Sequence, residues 1–276
     1  MERIVAENGV VFYRSEIIPC KHGFSTRLGG VSQLSHTKSL NLGLDRGDSP
    51  ETVYKNLALL SEALELECEG IISVSQIHSS TVRYVNEENR GEGLFKEEKL
   101  RCDGYVTDSE DISLGVRTAD CVPILFYAPA SEGFGGAVAA VHAGWRGTAG
   151  GIAAEAVRRL CDIGADASEI RAAIGPSIGS CCYSVKKDFY ESFLSLAGDE
   201  LTERFVTPVS DGEWIADLKG INREILHKCG VSYENIDVCG ECTCCNSEEF
   251  FSHRYSKGIR GTMLSVINKS HRKKGT

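Results

Sequence analysis

The sequence lacks the long apolar runs and the leader pattern that mark membrane and secreted proteins. No stretch approaches the roughly 18 apolar residues that suggest a membrane-spanning helix. The first residues, Met1-Glu2-Arg3-Ile4, run directly into a strand-like segment where a leader would be charged and then apolar. We therefore expect a cytoplasmic protein with no membrane partner. In that reducing compartment the 12 cysteines are expected to be free thiols or metal ligands, not disulfides.

Positive charge is also in short supply. The chain has 30 Lys and Arg against 39 Asp and Glu, a net charge of −9, which argues against a general attraction to nucleic acid. An anionic ligand must then be captured by a local group of cations. Internal repeats and low-complexity linkers are missing too, and 42% hydrophobic residues suffice for a substantial core. We predict a single domain over residues 1–276, a monomer or a weak homo-oligomer.

Strand and helix signals follow one another without a strict β-α-β rhythm. Asn8-Gly9 marks a hairpin turn near the start of the chain, and Ser49 and Pro50 are typical of a helix start. Residues 152–161 have helical spacing, residues 263–267 form a final strand, and another helix is introduced by Trp214, Asp217 and Leu218 and runs through Leu226. This order predicts an α+β fold with mixed sheets flanked by helices.

The centre of the chain, residues 118–151, changes its pattern three times. Apolar runs at residues 122–128 and 137–141 flank a segment rich in turn residues, which predicts a β-hairpin. A turn centred near residues 131 and 132 would place Phe126 opposite Ala137 and Cys121 opposite His142. Opposed residues of an antiparallel pair have Cβ atoms about 4.5–5.5 Å apart.

A thiol and an imidazole at that separation suit a shared metal ion or a proton exchange. The alternative is that Cys121 is a small core residue and His142 a buried, hydrogen-bonded one. Each residue alone favours that alternative. Their pairing at the end of a hairpin, beside Asp120 and Arg146, favours a reactive site.

Glycines at positions 144, 147, 150 and 151 come between His142 and the predicted helix at residues 152–161. Backbone N–H groups at a helix start favour phosphate, and Arg146 in the same segment strengthens that interpretation. The segment is not a Walker loop, because it lacks the Gly-Lys-Ser/Thr sequence.

Other candidates have weaker local support. Arg27 and Asn41 are interpreted from the residues alone as surface positions, and His78, at a strand end, as structural. The cysteines at 239, 242, 244 and 245 contain a Cys-x2-Cys spacing typical of half a zinc site, but a second such pair is missing. Cys181 and Cys182 are the less favoured candidates to complete it. We expect free thiols there and no catalytic metal.

Several motifs together resemble the YfiH-like family, whose members are described as polyphenol oxidoreductases (laccases) or as purine nucleoside phosphorylases. The resemblance covers nearly the whole chain. It rests on residues 24–32, 39–43, 76–78, 118–121, 141–148, 174–183 and 250–254, among them Gln76-Ile77-His78, Thr118-Ala119-Asp120-Cys121 and His142-Ala143-Gly144-Trp145-Arg146-Gly147. The resemblance implies a layered α/β sandwich of the YfiH type.

The resemblance also implies a metal site and an activity. His78, Cys121 and His142 would bind Zn²⁺, with copper as the alternative metal. The activity would be phosphorolysis of adenosine, inosine, guanosine and methylthioadenosine, together with adenosine deamination, so the partners are a small nucleoside and phosphate. The alternatives are a Cys/His hydrolase that edits peptidoglycan precursors and a copper-dependent polyphenol oxidase. The oxidase is less favoured, because the sequence has only seven histidines.

Three protein ligands leave zinc a fourth position for water or substrate, which is typical of a catalytic site. Asp120 is then the candidate proton shuttle for deamination. Arg27, Arg254 and the glycine-rich helix start would neutralise phosphate. The remaining predicted substrate-binding residues are Asn41, Arg146 and Gly147.

Overall fold

The computed structural model describes residues 1–272; residues 273–276 of the predicted single domain lie outside the described residues. The strands are β1 Glu2–Val5, β2 Val11–Arg14, β3 Cys20–Ser25, β4 Ile71–Ile72, β5 Val82–Tyr84, β6 Gly104–Thr107, β7 Ser113–Thr118, β8 Val122–Ala128, β9 Ala137–Ala143, β10 Arg171–Ile174, β11 Ser184–Lys186, β12 Val206–Ser210, β13 Glu213–Ala216, β14 Ile236–Val238 and β15 Met263–His271. The helices are α1 Pro50–Ala63, α2 Trp145–Ala149, α3 Ile152–Asp162, α4 Lys187–Ala197, α5 Asp199–Phe205 and α6 Leu218–Lys228.

Two large mixed sheets and one small sheet carry the fold. The first sheet has the order β1-β2-β3-β15-β7-β4, the second β14-β10-β8-β9-β6-β5, and the third β11-β13-β12. Most pairs are antiparallel, whereas β4 with β7, β10 with β14 and β5 with β6 are parallel. This confirms the predicted α+β class with mixed sheets.

Three apolar clusters define the layers. Phe24 and Val116 of the first sheet share one cluster with Leu125 and Val138 of the second, so the two sheets face each other. Helices α3 and α6 pack on the outer face of the second sheet, and α1 packs on the outer face of the first. The result is the predicted layered sandwich.

Strand β8 is buried on both faces, which explains its uninterrupted apolar sequence. Alternate side chains of a strand point to opposite faces. Ile124 and Phe126 therefore pack under the helices, whereas Leu125 and Tyr127 pack between the sheets. A strand covered on both sides has no position at which a polar side chain would reach water.

The predicted helix start at Ser49 is confirmed. The Ser49 side chain accepts a hydrogen bond from the Thr52 N–H, and Pro50 occupies the first turn. The predicted hairpin around Asn8 is also confirmed, because β1 pairs with β2 in an antiparallel manner. Within residues 1–272, no helix has the length and apolar character to cross a membrane.

The predicted register of the central hairpin is wrong by two residues. Phe126 pairs with Ala139 instead of Ala137, and Pro123 pairs with His142. The connection closes through mutual main-chain hydrogen bonds between Ser131 and Phe134, so its centre lies later than predicted. As a result Cys121 precedes β8 and has no direct partner on β9.

Two other expectations are corrected. Trp214 does not begin a helix: it lies in β13, and α6 begins at Leu218 behind Asp217, whose carboxylate accepts the Gly220 N–H. The glycine-rich segment is not one loop before one helix. It contains the short helix α2, with Gly144 as its N-cap, and Gly151 then caps α3 in a left-handed conformation with φ 77°.

Candidate metal centre

His78, Cys121 and His142 come together at one end of the sandwich. His78 follows β4, Cys121 lies in the crossing from β7 to β8, and His142 lies near the end of β9. Their ligand atoms all lie within 4.8 Å of one another. The two imidazole rings meet edge to face with centroids 4.8 Å apart. The structure therefore brings together the three residues that the family resemblance predicts to be metal ligands.

The position of Cys121 is set by a tight crossing between the two sheets. Asp120 adopts a φ of 95°, a conformation that non-glycine residues rarely take. Its carboxylate accepts hydrogen bonds from the Thr243 hydroxyl and the Arg254 N–H, both at 2.7 Å. Its carbonyl oxygen accepts the Ile178 N–H at 2.9 Å. These contacts hold the strained crossing, and with it the thiol that follows.

His78 is held by a buried carboxylate. It also has a left-handed backbone, with a φ of 58°. The N–H groups of Ile77, His78 and Ser79 all donate to the Asp103 carboxylate, at 3.2, 3.0 and 2.7 Å. Successive N–H groups that converge on one anion form a nest, which offsets the strain of the left-handed residue.

The same carboxylate orients His142. Asp103 is fully buried, and its Oδ1 lies 2.9 Å from His142 Nδ1. Because an ionised carboxylate can only accept, Nδ1 carries the proton and Nε2 of the neutral ring is left for a metal ion. A carboxylate behind a ligating histidine is the usual arrangement at metal sites. Asp103 thus positions two of the three ligands.

Sequence reasoning missed Asp103. It lies 25 residues from His78 and 39 from His142, so no local spacing connects them. The only signal available in principle was the pairing of β6 with β9, which sets Gly104 opposite Val141. That pairing cannot be recognised from spacing.

Gly144 provides the room in which the three ligands meet. A Cβ atom at this position would lie 3.0 Å from His78 Cδ2 and 3.4 Å from both Cys121 Sγ and His142 Cε1. A side chain would therefore press on all three ligands. The requirement here is space, since the Gly144 φ is −63°.

Charge in the site favours a thiolate. Burial by itself raises the pKa of Cys121, but the charge and hydrogen bonds of His142 and then of His78 outweigh it and lower the pKa. For His142, burial lowers the pKa, whereas Cys121 and Asp103 raise it more strongly. The pair thus prefers thiolate and imidazolium when no metal is bound. A thiolate is also the form that binds metals.

The three ligands line a cleft of about 390 Å³, within the size range of small-molecule sites. Three arginines, Arg46, Arg117 and Arg260, line it as well. Arg117 Nη2 donates to the Val74 carbonyl at 3.1 Å, and the buried Arg260 Nε has no hydrogen-bond partner in the described part of the chain. Burial lowers the pKa of both Arg117 and Arg260, so each cation is poorly solvated and would gain from a bound anion.

The other predicted site residues lie outside the lining of this cleft. Asn41 is buried and donates to Gly43 O and Asp48 Oδ2. The Arg27 guanidinium donates to two carbonyl groups and stacks on Phe251. The hydrogen-bonding capacity of both side chains is therefore directed to protein partners.

Arg254, Arg146 and Gly147 have different surroundings. The Arg254 guanidinium bonds to Cys182 O and to Ser184. Arg146 is exposed, with its guanidinium over the Trp145 ring at 4.2 Å. Gly147 is buried, and a Cβ there would lie 2.8 Å from Ser79 O. Of this group, Gly147 is the one that packs against the segment carrying His78.

The donor set fits zinc. One thiolate and two imidazoles are ligands that Zn²⁺ prefers, and three protein donors leave a fourth position open. Copper accepts the same donors, so the ligands by themselves do not select between the two metals.

Several known proteins are similar to this chain. The family model described as "Multi-copper polyphenol oxidoreductase laccase" matches residues 21–270. The chain is 38% identical over 257 residues to "Purine nucleoside phosphorylase YlmD" of Geobacillus stearothermophilus, with 90% of this chain and 89% of that protein covered. It is 34% identical over 233 residues to "Adenosine deaminase RL5" of an unknown prokaryotic organism, with 84% and 87% covered.

Solved structures are similar throughout. The hypothetical protein YfiH of Bacillus licheniformis superposes with a TM-score of 0.87 at 32% identity, covering 96% of this chain and 98% of that one. YlmD of Geobacillus stearothermophilus superposes with a TM-score of 0.83 at 34% identity, covering 95% and 96%.

Proposed function

The chain belongs to the YfiH-like family, whose model is described as multi-copper polyphenol oxidoreductase laccase, and we propose that it is a zinc-dependent purine nucleoside phosphorylase. The observation that carries this proposal is the shared cleft of His78, Cys121 and His142 with three arginines. The candidate ligands for a metal and the cations for phosphate line the same cleft. The names of relatives as purine nucleoside phosphorylases support the same reaction.

The proposed substrates are adenosine, inosine, guanosine and methylthioadenosine, with adenosine deamination as a second reaction. One relative bears the name adenosine deaminase, which supports the second reaction. Both reactions take the same purine nucleoside into one cleft. They differ in whether phosphate enters with it.

His78, Cys121 and His142 would hold the zinc ion. When bound, zinc supplies a Lewis acid that polarises an oxygen or nitrogen ligand at the open position. Asp103 keeps His142 in the tautomer that leaves Nε2 free, and keeps the His78 segment in its left-handed turn. Asp120 and Arg254 lie outside the lining of the cleft, and their contact holds the crossing that presents Cys121. We assign them positioning roles.

Arg46, Arg117 and Arg260 would bind phosphate. Guanidinium groups recognise phosphate through paired N–H donors, and these donors are strongest where water is scarce. Arg260 keeps a buried, unpaired Nε, and its Nη1 is anchored to Gly261 O and Thr262 Oγ1. In phosphorolysis a phosphate oxygen forms a bond to the ribosyl C1′ while the bond from C1′ to the purine nitrogen breaks. The arginines hold the nucleophile in place for that displacement.

A product screen with and without phosphate tests the proposal. Zinc-loaded protein is expected to release free base from inosine and adenosine only when phosphate is present, together with ribose 1-phosphate. Cys121→Ala and His142→Ala should abolish this turnover. The exposed Cys161→Ser on α3 removes a thiol away from the cleft and should retain it. Circular dichroism shows whether each variant is folded.

The Cys/His hydrolase is the second candidate, because the lowered pKa of Cys121 beside His142 also suits a nucleophilic thiolate. The two candidates differ in their need for metal. If zinc-loaded protein released no base from either nucleoside, while metal-free protein cleaved an amino-acyl or peptide bond, the hydrolase would replace the phosphorylase.

A further inference from the structure

Four cysteines outside the cleft form a second group. Cys181 and Cys182 follow β10, and Cys242 and Cys245 follow β14. Their four Sγ atoms all lie within 4.8 Å of one another. The Sγ of Cys245 is 3.5 Å from that of Cys181 and 3.3 Å from that of Cys182. We propose that these four thiolates bind a structural zinc ion, separate from the site in the cleft.

This proposal departs from the expectation of free thiols in this region, where the cysteines carry no disulfide. The sequence contains no second Cys-x2-Cys pair at the spacing usual for a zinc site. The structure supplies two adjacent cysteines, Cys181 and Cys182, as the second pair. The first pair is Cys242 with Cys245, whereas Cys239 lies buried between the two large sheets.

The topology of the second sheet brings the two pairs together. β10 and β14 are parallel neighbours, so the loops that follow them leave the sheet at the same edge. The Thr243 N–H donates to Ser177 O at 3.1 Å, and residues Ser177 and Cys242 form a β-bridge. The two loops are therefore joined by backbone contacts before any metal is considered.

The surroundings of Cys242 suit ionised sulfur. The Gly179 N–H donates to Cys242 Sγ at 3.2 Å. A Cβ at Gly179 would lie 3.2 Å from Cys181 Sγ and 3.4 Å from Cys242 Cβ, so glycine leaves room for the group. Lys219, Arg223 and Asp217 line the groove beside Cys181 and Cys242.

The distances fit a single tetrahedral ion. With zinc–sulfur bonds of about 2.3 Å, the sulfur atoms of a tetrahedral site are about 3.8 Å apart. The observed separations, from 3.3 Å up to the 4.8 Å limit, bracket that value. A disulfide requires about 2.05 Å and would leave two of the four thiols without a role. An iron–sulfur cluster distributes its thiolates over several irons, farther apart than one coordination shell allows.

A metal ion here would hold the segment that presents Cys121. Thr243, next to Cys242, donates its hydroxyl to Asp120 at 2.7 Å. The carbonyl oxygen of Cys182 accepts from the Arg254 guanidinium at 2.9 Å, and the Arg254 N–H bonds to Asp120. Both loops of the four-cysteine site therefore contact the crossing that carries Cys121. Loss of the ion should loosen that crossing as well as the loops.

The experiment counts zinc and identifies its ligands in two backgrounds. Wild-type protein purified without added reductant or chelator should contain a zinc equivalent that His142→Ala does not remove. X-ray absorption of the His142→Ala protein should show a shell of sulfur at about 2.3 Å with little nitrogen. Adding Cys242→Ser or Cys181→Ser to that background should remove this equivalent.

Two matched controls change a thiol that is not one of the four. Cys244→Ser alters the same loop, and Cys161→Ser alters an exposed thiol on α3; neither cysteine belongs to the group of four. Both should keep the sulfur-only equivalent. Because the spectrum of the His142→Ala protein needs no cysteine variant, a folding failure of Cys242→Ser leaves the test intact.

Three outcomes would overturn the inference. One is a His142→Ala protein that holds no zinc with sulfur ligands. Another is a zinc equivalent of the His142→Ala protein that remains after Cys181→Ser and also after Cys242→Ser. The third is a thiol titration of the denatured protein that finds fewer than its 12 thiols, with a disulfide-linked peptide between the two loops. Zinc content, X-ray absorption and thiol titration do not measure activity. The result is therefore independent of whether the cleft binds zinc or splits nucleosides.

Discussion

Asp103→Asn is the substitution that tests the candidate centre most directly. The Asp103 carboxylate accepts five hydrogen bonds: Oδ1 from His142 Nδ1 and the His78 N–H, and Oδ2 from the Ile77 N–H and from the N–H and hydroxyl of Ser79. Asparagine replaces one oxygen by an NH₂ group. In either orientation of the amide, the NH₂ group replaces an oxygen that accepts at least two hydrogen bonds. The groups that donated to that oxygen then lose their acceptor.

The magnitude follows from the bonds that are lost. Hydrogen bonds to a charged group contribute about 1.5–3 kcal/mol each, and the lower end applies where water can replace the carboxylate. His78 is exposed and His142 is not. Losing two bonds should therefore lower the free energy of unfolding by about 3–4 kcal/mol. Loss of the carboxylate behind a ligating histidine lowers metal affinity about 10–100-fold.

Three measurements check this. Urea denaturation gives the free energy of unfolding, competition with a chelator gives the zinc affinity, and phosphorolysis of inosine at saturating zinc shows whether activity returns when the site is filled. Asp48→Asn is the matched control. Asp48 accepts hydrogen bonds from the side chains of Ser32, Thr37 and Asn41, away from the cleft. It should lose stability and keep its zinc affinity. Equal zinc affinity in the Asp103→Asn and wild-type proteins would refute the positioning role.

Three further changes probe other parts of the molecule. Burial lowers the pKa of His22 to about 4, below its unfolded value near 6.5, so the neutral ring stabilises the fold above pH 6.5 and this stabilisation is lost as pH falls towards 4. The free energy of unfolding should drop by up to about 3 kcal/mol across that range. The His22→Gln protein should not show this pH dependence. Gly175→Ala puts a Cβ 2.2 Å from Phe24 Cδ1 and should destabilise the protein by about 1–3 kcal/mol in thermal melts, whereas Gly135→Ala, in open space, should be close to neutral. Arg260→Met should raise the half-saturating phosphate concentration about 10-fold or more at unchanged zinc content; a rise confined to the nucleoside KM would contradict the phosphate role.

Features with local causes were predictable from the sequence. The helix start at Ser49 depends on one side chain that caps an N–H three residues later, and Pro50 fits the first turn. Helix α3 follows from apolar residues at helical spacing, and Ala156 and Leu160 are indeed buried. In these cases the residues that decide the structure lie within one turn of each other.

The central hairpin shows how a wrong register can still give a correct neighbourhood. Side chains alternate between the two faces of a strand, so a shift of one residue reverses every face, whereas a shift of two restores it. The predicted register was wrong by two. His142 therefore stays on the expected side, and Cys121 approaches it from the crossing instead of from the opposite strand. Cys121 and His142 are close together as predicted, but the crossing from β7 to β8 brings them together and not the strand register.

Contacts between distant segments were beyond the reach of spacing. His78 was recognised as a ligand only through the family resemblance, because its approach depends on Asp103, which holds its segment in a left-handed turn. The grouping of the four cysteines was not favoured from the sequence for the same reason. A search for two Cys-x2-Cys pairs assumes that each half is local, whereas Cys181 and Cys182 meet the second half only because β10 and β14 are parallel neighbours.

The hydrogen-bond partners of the arginines also depend on contacts between distant segments. Arg27 and Arg254 stand in recognisable motifs, and their guanidinium groups donate to main-chain carbonyls outside the cleft. Arg260 lies in the cleft with a buried N–H that no atom of residues 1–272 accepts. An unpaired donor in a poorly solvated place favours an anion, whereas a paired one does not. Whether a guanidinium is free to bind substrate is therefore set by its tertiary partners, which residue identity and motif position do not determine.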